Sequence, residues 1–145
     1  MLSSIYFNMS SAKRIVLAIV SLIAGCLVYL LFRQDILAIY WIGNPKWIEP
    51  VRINIGYDGN FFTYCLLYCL SDALWYFSLL ILQFQFYDRT IVLCNVLLYA
   101  SIALPFVLET LQYFKVINGT FDTLDIVFYL TVLLIVLKIE HHEKK

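Results

Sequence analysis

The sequence predicts an all-α integral membrane protein, a bundle of four transmembrane helices with a short interfacial or re-entrant helix before the second span. Three observations predict it. Hydrophobic residues make up 63% of the 145 residues and charged ones 14%, leaving more apolar surface than a soluble domain of this size can bury. Three apolar runs, Ile15 to Phe32, Ile91 to Leu108 and Leu124 to Ile139, approach the roughly 20 residues that cross a bilayer. A fourth run, Phe61 to Tyr87, is interrupted only at Ser71-Asp72. One compact transmembrane domain over 1–145 is therefore expected, with spans at about 15–32, 72–87, 91–110 and 124–139 and an outer loop at 33–60. The formal net charge is zero, and no basic stripe, zinc-finger spacing or arginine-rich tail is present, which excludes nucleic acid as a partner.

The first run follows Lys13-Arg14 and contains Ile23-Ala24-Gly25-Cys26, a match to a bacterial lipobox. Cys26 is followed by Leu27 to Phe32 instead of a polar tether, so the segment reads as a signal anchor that stays as the first span, with Gly25 and Cys26 as small packing residues. The connection after it carries Tyr40, Trp41, Trp47 and Tyr57 among Pro45, Pro50 and three glycines, an aromatic density that suits the membrane interface. It is expected either to lie on the outer surface of the bundle or to form a lid, and Val51 to Ile55 alternates like a brief extended segment.

Phe61 to Leu70 reads as the short interfacial helix, and Asp72 as the start of the second span, because an acid at mid-membrane is expensive and one at a helix start is not. Cys65 and Cys69, with Cys26 and Cys94, stand in apolar contexts without a CxxC and read as packing residues. His141 and His142 fall in a charged, solvated tail. Four spans put both termini on one side, which holds Lys13, Arg14, Arg89, Lys138, Lys144 and Lys145 against Arg33, Lys46, Arg52 and Lys115 on the other. Six basic residues against four place the termini in the cytoplasm.

On this topology the acids converge. Asp72 opens the second span, Glu109 closes the third, and Asp122 and Asp125 begin the fourth, all at the outer face. Glu109 and Gln112 are three apart, as are Asp122 and Asp125, so each pair shares a helix face. Asp72, Trp75 and Tyr76 lie along one face of the second span. Capping accounts for part of this pattern: Ser71 or Asp72 as an N-cap, and Asp122 with Asp125 as a capping box. Glu109 has no such account, since a negative charge is disfavoured at a helix C-terminus. Pro105 as a kink, Gln112 as an amide partner and Lys115 as a countercharge are the neighbours expected to explain it, and Gly119 allows a tight turn.

Asp72-Ala-Leu-Trp75, then Glu109-x-x-Gln112, then Gly119-Thr-Phe-Asp122-x-x-Asp125 together resemble the VanZ-like family of small bacterial membrane proteins, over about Ser71 to Leu137. The resemblance implies a four-span bundle in a bacterial cytoplasmic membrane, in a family named after a protein linked to teicoplanin resistance. The chain departs from that pattern in two places. Lys115 stands nearest to where many such proteins have an arginine, and Asp125 is followed by Ile126-Val127-Phe128-Tyr129 without the usual asparagine.

Two functions fit these residues. In the first, Asp72, Trp75, Glu109, Gln112, Gly119, Asp122 and Asp125 bind or modify a lipid-linked component of the cell envelope, which the resemblance connects with glycopeptide susceptibility. A divalent cation such as Mg²⁺ or Ca²⁺ is then a possible cofactor on Asp72, Glu109, Asp122 and Asp125, or one carboxyl serves as general acid or base. No nucleophilic Ser or Cys with a His partner is visible. In the second, the chain is a non-enzymatic accessory or assembly subunit whose polar residues lock helices together within a larger membrane complex. Membrane lipid is a partner in both.

Overall fold

The structure is a computed structural model that describes residues 10–32, 60–118 and 120–143. Among them all regular secondary structure is helical. Helix α1 spans Ser11–Phe32, α2 Phe61–Tyr64, α3 Leu70–Gln85, α4 Val92–Tyr113 and α5 Thr123–Glu143, with a π-helical segment at Cys65–Cys69 joining α2 to α3. Helices α1 and α4, 22 residues each, are long and apolar enough to cross a membrane. The outer loop expected at 33–60 lies outside the described residues except for Asn60, whose side chain caps α2 by accepting the Phe62 N–H at 3.0 Å.

Helix α3 is the hub, packed against α1, α4 and α5. Its residues Ala73, Tyr76 and Leu80 recur at helical spacing and, with Ile81, meet Ala18 of α1 and Tyr129, Val132 and Val136 of α5 in the core. The buried stripe of α1 is Arg14, Ala18, Ser21 and Gly25, small residues after the first, and this allows the two backbones to approach closely. A Cβ on Gly25 would lie 2.4 Å from Trp75 Cδ1 and 3.1 Å from the Ser71 carbonyl oxygen, so glycine is required there by contact with α3. Large apolar side chains face outward instead: Val16, Val20 and Ile23 on α1, and Val92, Val96 and Val107 on α4, are exposed. On α1 the small and polar residues thus face the bundle and the bulky apolar ones face away from it.

Two expectations are corrected here. Ser71-Asp72 does not break the helix: the backbone runs on from Phe61 to Gln85, and the irregularity falls earlier, as the π-helical turn at Cys65–Cys69. Neither residue is an N-cap, because the position before α3 is Cys69 with helical backbone and no capping side chain. The amide groups of the first turn are already bonded within the continuing helix, so no cap is needed. Lys115 is likewise not a countercharge to Glu109. It is exposed, with φ of 57°, and its N–H donates to the Gln112 carbonyl at 2.9 Å while the Val116 N–H donates to Leu111 at 2.9 Å. This is a Schellman end to α4 with lysine in the left-handed position where glycine is usual, and it turns the side chain out of the bundle.

The α3–α4 connection is tied locally. The Asp88 carboxylate accepts the Thr90 N–H at 2.8 Å and its hydroxyl at 2.7 Å, which holds the carboxyl below the usual range. Tyr87 donates its hydroxyl to Asn95 Oδ1 at 2.6 Å. At the same end of the bundle Arg14 Nη1 lies 2.7 Å from Glu140 Oε1, both residues buried, so the start of α1 stands beside the end of α5.

Candidate functional site

At the opposite end from Arg14 and Glu140, the chain assembles most of the polar residues singled out in the sequence. Glu109, one turn from the end of α4, is 5% exposed. Its Oε2 accepts the backbone N–H of Asp122 at 3.3 Å. Asp122 in turn is the N-cap of α5: its Oδ1 accepts the Leu124 N–H at 2.8 Å, two residues on, and its Oδ2 accepts the hydroxyl of Tyr64. Only half of the expected capping box is formed. The reciprocal bond, from the Asp122 N–H to Asp125, is replaced by the one to Glu109. Asp125 instead faces Cys69 of the π-helical turn, and its Oδ1 is buried without a hydrogen-bond partner.

This arrangement explains Glu109 physically. A carboxylate at the C-terminus of α4 is disfavoured by that helix, but the N-terminus of α5 presents unsatisfied N–H groups to the same space. Glu109 takes one of them, so the acid that closes α4 binds the start of α5.

Asp72, Trp75, Glu109 and Gln112 line one cleft of about 390 Å³ between α3 and α4, closed by Tyr29 of α1 and Tyr129 of α5. Trp75 stacks at a tilt on Tyr29 with ring centroids 5.2 Å apart, and its indole N–H edge is pressed against Gly25. Tyr76 meets Tyr129 edge-on at 5.5 Å and donates its hydroxyl to the Ile102 carbonyl at 3.2 Å, one residue from the Ser101 carbonyl whose usual partner is lost at Pro105. Leu108 lies beside Glu109, and farther from the acids the cleft is walled by Leu79, Leu104 and Pro105. Asp122 and Asp125 do not line it. They lie behind Glu109, toward Tyr64 and Cys69. Gly119 lies outside the described residues.

The four carboxylates do not meet at one point. Among the described residues, the metal-ligating atoms that do come within 4.8 Å of one another are those of Cys69, Asp122 and Asp125, without Asp72 or Glu109. A thiol in that set suits a softer ion than Mg²⁺ or Ca²⁺, and Asp122 is already engaged by Leu124 and Tyr64. Asp72, Glu109, Asp122 and Asp125 thus do not form a single all-oxygen cluster among the described residues.

Tyr64, Cys69, Tyr29 and Tyr129 are site neighbours that the motif reading passed over. Cys69 was within reach, standing three residues before Asp72 and seven before Tyr76 on one helix face. Tyr29 and Tyr129 sit in apolar runs and carry no local mark of a site.

The fold and cleft define an all-helical protein with two helices long and apolar enough to cross a membrane and a largely apolar cleft that holds two carboxylates and an amide. No protein-family model matches the chain, and no curated protein or solved structure is significantly similar to it.

Proposed function

We propose that this chain is a four-span protein of the bacterial cytoplasmic membrane, a divergent relative of the VanZ-like proteins, whose cleft binds a lipid-linked component of the cell envelope. The observation that carries the reading is the shared cleft: Asp72 and Trp75 from α3 and Glu109 and Gln112 from α4, distant in sequence, line one space large enough for a small ligand. Two features support four crossings. The continuous helical stretch from Phe61 to Gln85 exceeds the ~20 residues a span needs, and α5, at 21 residues, packs beside it. The Arg14–Glu140 pair joins the first span's start to the last span's end, as both termini on the cytoplasmic side require. In that frame the cleft faces the outer leaflet.

The test is native mass spectrometry of the protein extracted gently from its own membranes, run beside Glu109→Gln. The amide oxygen of glutamine can still accept the Asp122 N–H, so the fold is expected to hold and thermostability to be unchanged. A lipid that travels with the wild type and is lost in the variant is the expected result. A stoichiometric protein partner kept by both, with no lipid, refutes the reading and makes the chain an accessory subunit.

A further inference from the structure

The cleft's lining has a sign and a direction. Asp72 and Glu109 come from different helices, and the eleven lining residues include no lysine, arginine or histidine. An anionic head group entering there would meet like charge in a site walled by protein, where repulsion is screened less than in water. The acids also lie at one end. Leu79 is seven residues, about 10 Å of helix, beyond Asp72, and Leu104 precedes Glu109 by five residues along α4, so the lining runs from carboxylates to hydrocarbon. Near the acids, Tyr29 and Trp75 form a stacked aromatic pair, and aromatic rings attract organic cations. A hard metal ion, which takes six or more oxygens, fits this wall of rings and leucines poorly.

We propose that the cleft takes an ammonium-bearing amphiphile, its cationic head at Asp72 and Glu109 beside Tyr29 and Trp75, and its hydrocarbon tail along Leu79 and Leu104. The inference rests on the lipid-binding reading above and goes beyond it by assigning the charge of the head group.

The experiment uses the full chain purified in an uncharged maltoside detergent, with tryptophan fluorescence and thermal unfolding followed as dodecyltrimethylammonium, dodecyl sulfate or tetramethylammonium is added at low mole fraction. Dodecyltrimethylammonium is expected to bind saturably and raise the unfolding temperature, with the other two at least about tenfold weaker, the equivalent of one lost charge or tail contact. Glu109→Gln and Asp72→Asn are each expected to weaken it about tenfold. Should one variant fail to fold, the other supplies the same comparison, and the three probes on the wild type need neither. Equal binding of dodecyl sulfate overturns the cationic head, equal binding of tetramethylammonium overturns the tail, and wild-type affinity in both variants places the head elsewhere. In the native spectra, a Glu109-dependent lipid without an ammonium group overturns this inference alone, whereas no lipid at all overturns the reading beneath it.

Discussion

The buried pair Arg14–Glu140 offers the most quantitative test of how the helices are arranged. Arg14 is a cation in the first turn of α1 and Glu140 an anion in the last turn of α5, so each opposes the dipole of its own helix. Their separation is 2.7 Å, and the side chains are 8% and 10% exposed. At an effective dielectric of 20 the direct attraction is about 6 kcal/mol, and it is largely offset by several kcal/mol of desolvation per ion. The net worth of the pair is therefore small, but removing one member leaves the other buried and uncompensated, at about 3–5 kcal/mol. Arg14→Met and Glu140→Leu are each expected to lower the unfolding temperature in detergent by on the order of 10 °C, while the double variant recovers most of that loss. Circular dichroism at 222 nm, followed with temperature for the wild type and the three variants, closes the cycle. Single losses that simply add in the double variant would mean the charges do not meet. The antiparallel placement of α1 against α5 would then be wrong.

Two further outcomes follow from contacts at the other end of the bundle. Gly25→Ala should destabilise by about 1–2 kcal/mol: overpacking against Trp75 and the Ser71 carbonyl costs about 1–3 kcal/mol, and the gain in helix propensity returns up to about 1 kcal/mol. Thermal unfolding checks it, and a variant more stable than the wild type would show that α1 and α3 are not in contact there. Asp122→Ala should cost about 0.5–2 kcal/mol through loss of the α5 cap, whereas Asp122→Asn, which still accepts the Leu124 N–H, should cost little. If asparagine proves as damaging as alanine in the same melts, the carboxylate's bond with Tyr64 outweighs the cap.

How far the sequence was legible depends on whether the deciding force was local. Composition and run length established an all-helical chain with apolar segments near the length of a bilayer, because the need to satisfy every backbone polar group in a nonpolar medium acts on each segment by itself. The same local physics marked Asp122 as a cap and left Glu109 without one. Where an effect depended on a neighbouring helix, the sequence misled. Ser71-Asp72 read as a break because an acid in an apolar run is expensive, yet the structure continues the helix through it and turns Asp72 into a cleft shared with α4. Lys115 read as a countercharge by proximity, but the left-handed end of α4 points it outward.

By itself, then, the sequence determined the helices and the polar residues at their ends, since both follow from spacing along one chain. Only the tertiary structure decided that Glu109 satisfies an amide group of α5, that Asp125 faces Cys69 instead of closing a capping box, and that Tyr29 and Tyr129 complete the cleft. These are contacts between helices that meet only on packing, and their partners are chosen by which faces α3 brings together as the hub. No spacing rule reads that choice from one strand of letters, because it depends on how closely Gly25 and Ala18 let α1 approach α3.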